Sequence, residues 1–166
     1  YPHIADGGGY STRFILVNPN TTAITAGLTF YRKDGTPFAL TLNPSQQSGA
    51  THSVTLPGHG SAILWTAGTA SDVHVGWARI EANGPVGGSV IYSYFLNGRY
   101  YSQAGINAAT AASEFVLAVD RTGGVLAGLA VANPSENQAV TLAMALFDTE
   151  GKQKGNTAMW RLQARE

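Results

Sequence analysis

Apolar and polar residues alternate with period two along much of this chain, in short runs rich in β-branched and aromatic side chains. Such alternation places every second side chain on one face of an extended strand, whereas the 3.6-residue rhythm of an amphipathic helix is almost absent. The runs predict strands over Thr12–Val17, Ile24–Arg32, Phe38–Leu42, His52–Leu56, Ser61–Thr66, Val73–Ala82, Val86–Phe95, Phe115–Val119, Gly128–Val131 and Ala139–Phe147. In Ile24–Arg32, Ile24, Ala26, Leu28 and Phe30 are expected to face a core, with Thr25, Gly27, Thr29 and Tyr31 turned outward. Turn chemistry separates the runs. Asn18-Pro19-Asn20 fixes one φ and lets asparagine side chains bond their own backbone, and Lys33-Asp34-Gly35, Pro57-Gly58 and Asn97-Gly98 supply residues that tolerate tight hairpins. The one helix candidate, the Ala-rich Ala108–Glu114, is too short to stand alone in water and reads as part of a linker over Ile106–Ser113. Many short strands at about 8–12-residue spacing predict an all-β, antiparallel β-sandwich of immunoglobulin-like type.

A repeat divides the chain. Phe14-Ile15-Leu16-Val17-Asn18-Pro19 leads through an apolar strand to Phe30-Tyr31-Arg32-Lys33-Asp34-Gly35. Later, Gly128-Leu129-Ala130-Val131-Ala132-Asn133-Pro134 leads through a second strand to Leu146-Phe147-Asp148-Thr149-Glu150-Gly151. Both copies read strand, Asn-Pro turn, longer strand, acidic-Gly hairpin, which is the pattern of a duplicated supersecondary unit. The expected organisation is a complete sandwich unit over 1–107 and a shorter, incomplete β unit over 113–166.

The stretches Leu129–Pro134 and Thr141–Gly151 resemble an extracellular, immunoglobulin-like β-sandwich repeat of large secreted or surface proteins of bacteria. In that repeat a strand ending in Asn-Pro runs on to a second strand and an acidic-Gly hairpin. Gly7–Gly35 looks like a related opening segment. The resemblance implies a sandwich fold and a secreted or cell-surface location, and it implies no catalytic residues.

Composition narrows the function classes. The chain has 166 residues, 44% of them hydrophobic, which suffices for a core. Only 12% are charged, about half the roughly 25% of an average soluble domain, and Gly, Thr, Ser and Asn take the place of charge. The net charge of zero leaves no electrostatic footprint for nucleic acid. No run approaches the ~18 apolar residues of a membrane-spanning helix. Cysteine is absent, which removes disulfides, thiolate metal sites and cysteine nucleophiles together.

Candidate chemistry is sparse. His3, His52, His59 and His74 lack the paired spacing of a metal site and read as surface or strand-end residues. Asp34, Asp148 and Glu150 fall in hairpin turns, where they serve turn geometry, and Arg79 with Glu81 on one strand face reads as an exposed ion pair. No G-x-S-x-G nucleophile motif occurs, and Gly7-Gly8-Gly9 is followed by a strand rather than the helix that a phosphate loop needs. Tyr92 and Tyr94 alternate on one strand face, with Tyr101 in the adjoining hairpin; they read either as core residues whose hydroxyls reach the rim or as a flat aromatic platform of the kind that stacks on sugar rings. Trp65 and Trp77 are expected in the core. The reading is of a non-catalytic module with no cofactor, working through a protein partner or self-association by strand addition, with polysaccharide binding as the alternative.

Overall fold

A computed structural model of the chain describes residues 1–120, 122–124 and 127–166. The protein is all-β, with antiparallel strands packed as a sandwich over the first two thirds of the chain. The strands are β1 (Ile4–Asp6), β2 (Tyr10–Val17), β3 (Ile24–Arg32), β4 (Leu40–Asn43), β5 (Gln47–Gly49), β6 (Thr51–Leu56), β7 (Ser61–Thr66), β8 (His74–Ala82), β9 (Gly87–Leu96), β10 (Arg99–Asn107), β11 (Val140–Phe147) and β12 (Gln153–Leu162). One sheet has the order β1-β8-β3-β6, the facing sheet β10-β9-β2-β7-β4-β5, and β11 pairs with β12 in a third, two-stranded sheet.

The core lies between the two larger sheets and follows from the alternation. Ile24, Ala26, Leu28 and Phe30 of β3 are buried against Phe14 and Leu16 of β2, Leu40 and Leu42 of β4, and Val90 of β9. Tyr31 faces outward as the alternation predicts, yet it is buried there. It stacks there on Trp77 of β8 at 4.6 Å between ring centroids. Trp77 is therefore buried outside the core rather than within it, because Ala78, its neighbour in β8, is the residue that points between the sheets. Trp65 is half-exposed on β7, whose Ala62 and Leu64 pack on the core instead.

Several elements differ from the expectation. β1, β5, β10 and β12 carry weak apolar alternation and are formed by pairing with stronger neighbours; β10 extends through Ile106 and Asn107. Conversely, Phe115–Val119 and Gly128–Val131 form no strand. The counterpart of the latter in the repeat is β2, which is held between β7 and β9; among the described residues no such partners flank Gly128–Val131. Ala108–Glu114 is not helical.

The two copies of the repeat nevertheless close in the same way. Asn18 is fully buried; its Nδ2 donates to the carbonyls of Thr22 (2.8 Å), Leu56 (3.1 Å) and Pro57 (2.9 Å), and its Oδ1 accepts from Asn20 N–H at 2.9 Å. Asn133, also buried, donates from Nδ2 to Gln138 O (2.7 Å) and Gln163 O (2.8 Å), and accepts from Ser135 N–H at 3.1 Å. His59 N–H donates to Asn20 O at 2.8 Å and Arg165 N–H to Ser135 O at 2.9 Å. His59 and Arg165 both sit at positive φ, 56° and 60°. Each unit thus ends in one Asn-Pro tip, clasped by the loop that follows β6 or β12.

Candidate functional site

Two regions gather exposed chemistry. The first is the end of the sandwich built by β9, β10 and the turn between them. Asn97 and Gly98 both have positive φ, 51° and 74°, the geometry of a tight hairpin whose twist matches its strands. Beyond it Phe95 pairs with Tyr100 but Tyr94 pairs with Ser102, so Tyr101 is the extra residue of a β-bulge. A bulge redirects a side chain, and Tyr101 accordingly meets Tyr94 edge-on, at 5.8 Å and 81°. Tyr100 meets Phe95 at 6.1 Å.

The predicted platform is not flat. Tyr92 is half-buried against the core, and its hydroxyl donates to the His3 carbonyl at 2.6 Å. Burial pushes its phenol up to about 12. Tyr94 has one ring face covered by Tyr10, its cross-strand partner, at 4.6 Å, and its side met by Tyr101. The rings presented to solvent are those of Tyr100 and Tyr101, 60% and 67% exposed, beside a shallow groove shared with Leu96, Asn97 and Arg99. Alternation does not single out Tyr100 or Tyr10 as site residues: the bulge between Tyr100 and Ser102 is invisible to a period-two pattern, and Tyr10 reaches Tyr94 only through the β2–β9 pairing.

The histidines are dispersed, and one is not at the surface. His52 is buried, with Nε2 between the carbonyls of Gly49 (2.9 Å) and Leu40 (3.2 Å) and its ring edge-on to Phe30. His3 packs on Tyr92, and its burial lowers its pKa. His59 is exposed at its tip. Among the described residues no group of three or more histidine and carboxylate side chains is gathered as a metal site requires. Asp34 and Asp148 bond their own turns. The Thr36 hydroxyl holds Asp34 below the usual carboxylate range, and Lys154 does the same for Asp148.

The second region is the second unit. Offsets through the repeat match Phe14 with Leu129 and Phe30 with Leu146. Phe14 and Phe30 are 0% exposed, whereas Leu129 and Leu146 are 56% and 52% exposed. Phe115, Val116, Leu117, Met159 and Trp160 are exposed as well. Among the described residues, both outer edges of the β11–β12 pair lack a neighbouring strand. What ties this unit to the first is a junction on the outer face of the sandwich. The indole N–H of Trp77 donates to the Arg165 carbonyl at 2.8 Å, and Arg79 bridges Glu81 (2.5 Å) and Glu136 (3.2 Å). Gly35, at φ 80°, lies against the same loop, where a Cβ would stand 2.9 Å from Ala164 O. An indole on the outer face of a strand gave no signal of this role in the sequence.

Against this geometry, the chain matches no protein-family model, no curated protein and no solved structure.

Proposed function

We propose that the chain is a non-catalytic module of a secreted or cell-surface protein, mediating protein contact or assembly through its second unit. The observation that carries the reading is the contrast in burial between equivalent positions, Phe14 and Phe30 against Leu129 and Leu146. Each large apolar side chain left in water forgoes roughly 1.5–3 kcal/mol that burial would contribute. Open strand edges beside such a surface template pairing with another chain. The low-charge, Thr- and Gly-rich surface supports the exported location, and the two-sheet antiparallel architecture supports an immunoglobulin-like kinship. Sedimentation velocity over a concentration series tests the assembly reading, together with hydrogen exchange over β11 and β12. The expected result is association at rising concentration with growing protection of those strands. A monomer at every concentration, with exchange in β11 unchanged, would count decisively against it.

A second reading, carbohydrate binding, is favoured by the exposed rings of Tyr100 and Tyr101 next to Tyr94. Polysaccharide pull-down with Tyr94→Ala and Tyr101→Ala discriminates. Binding weakened by both supports the reading, and no binding, or binding indifferent to both, removes it. Tyr92→Ala is unsuited to the purpose, since Tyr92 packs on the core.

A further inference from the structure

Each unit of the repeat carries two complementary features. One is the Asn-Pro tip, Asn18–Asn20 with Pro57–Gly60 in the first unit and Asn133–Ser135 with Gln163–Glu166 in the second, closed by matching hydrogen bonds. The other is the outer face beside the acidic-Gly hairpin. In the first hairpin Gly35 N–H donates to Arg32 O at 3.0 Å, and in the second Gly151 N–H donates to Asp148 O at 3.0 Å. The two glycines have φ of 80° and 79°. Tyr31 before the first turn corresponds to Phe147 before the second.

Within the chain one tip is already seated on one such face. The second unit's tip places the Arg165 carbonyl on Trp77 and the Ala164 carbonyl over Gly35, next to the Tyr31–Trp77 stack. Among the described residues that leaves the other tip and the other face uncovered. Pro57 and His59 of the first tip are exposed. Phe147 is exposed, and among the described residues nothing lies within 4 Å of the position a Cβ on Gly151 would take.

We infer that the first unit's tip docks on the Phe147–Gly151 face of a second copy of this chain, in the same relation as the junction inside one copy. The contact joins two different patches, so it is heterologous, and repeated it propagates head to tail rather than closing a dimer. The inference deepens the assembly reading and rests on it, naming the partner and the surfaces. Among the described residues the second unit has no counterpart of Trp77, so the contact lacks the indole hydrogen bond of the internal junction. It is accordingly weaker than that junction and depends on protein concentration.

The absence of cysteine makes cross-linking a clean test. Full-length chains carrying His59→Cys are mixed with chains carrying Lys152→Cys and oxidised, with each single variant oxidised alone for comparison. A chain carrying both Thr36→Cys and Arg165→Cys reports the internal junction. The expected result is a mixed disulfide in clear excess over either like pair. It should be lost when Gly151→Asn is added, since asparagine keeps the positive φ but fills the space the tip carbonyl would enter. Mixed cross-links no more frequent than like pairs, or indifferent to Gly151→Asn, overturn the inference. If sedimentation shows association while cross-links fail in this way, the assembly reading stands and this geometry falls; a concentration-independent monomer removes both.

Discussion

A single asparagine shows how one side chain can close a sandwich end. Asn18 is completely enclosed, and its amide satisfies carbonyls from two separate segments, the turn at Thr22 and the end of β6 at Leu56 and Pro57. Removing the amide takes a donor from one buried and two part-buried carbonyls, and a buried group left unsatisfied costs about 1–3 kcal/mol. Asn18→Ala should therefore destabilise by roughly 3 kcal/mol, a loss that denaturant titration followed by tryptophan fluorescence would read directly. Asn18→Asp should do no better, because it sets an acceptor against acceptors. A second residue-scale effect is alkaline. Burial raises Tyr92 from 10.0 to about 12, and Tyr1 is pushed up by the same cause. A phenol whose pKa is raised by folding leaves stability intact below its unfolded value and withdraws it as pH climbs toward the folded one. The thermal midpoint should hold below about pH 10 and then fall toward pH 12. Tyr92→Phe should make that fall shallower, and an unchanged slope would contradict the assignment. Asn-Pro was legible as a turn in the sequence, because proline and asparagine act locally. That the asparagine reaches across to β6 was not, because that contact is between residues 38 apart.

At the scale of elements, what could be read and what could not divide along the same physical line. β3 was readable end to end, since a central strand with one face on the core must alternate. β10 and β12 were not, because strands exposed along their length carry no such constraint and form only by pairing with a neighbour. Phe115–Val119 and Gly128–Val131 have the composition of strands but find no partners to pair with among the described residues, so composition alone overstated them. The hairpins give an element-scale prediction, since the two turns are alike and their surroundings differ. Asparagine tolerates the left-handed conformation, so neither Gly35→Asn nor Gly151→Asn should break its own turn. Gly35→Asn should nonetheless expel the second unit's loop, because a Cβ there meets Ala164 O at 2.9 Å. The indole N–H of Trp77, which donates to Arg165 O, should report release in Gly35→Asn by faster exchange and a shifted resonance, and should show neither change in Gly151→Asn. Equal behaviour of the two variants would mean that the hairpin does not seat the loop.

Over the whole molecule, stability and exposure are unevenly shared. Every residue of the main core cluster lies between Tyr1 and Val90, and β10 ends at Asn107. The second unit adds the buried Asn133 and Leu162 and an exposed ion network at Arg79, Glu136 and Arg165. Exposed ion pairs of this kind contribute only about 0–1 kcal/mol each, so the Trp77 hydrogen bond and the close approach at Gly35 must hold the junction. It follows that the units should separate in stability when separated in sequence. A fragment of residues 1–112 should melt cooperatively near the midpoint of the full chain, since it keeps both large sheets and all of their core. A fragment of residues 113–166 should show no cooperative transition, because a lone two-stranded ribbon is marginal in water and no facing sheet covers its apolar residues among the described residues. Circular dichroism melts of the two fragments and the whole chain decide this. Trp77→Ala in the full chain supplies the link between them: it should loosen the second unit, seen as faster exchange in β11 and β12, while lowering the main transition little. A large collapse of the main transition in Trp77→Ala would show instead that the outer-face stack supports the sandwich itself, and that the two units fold as one.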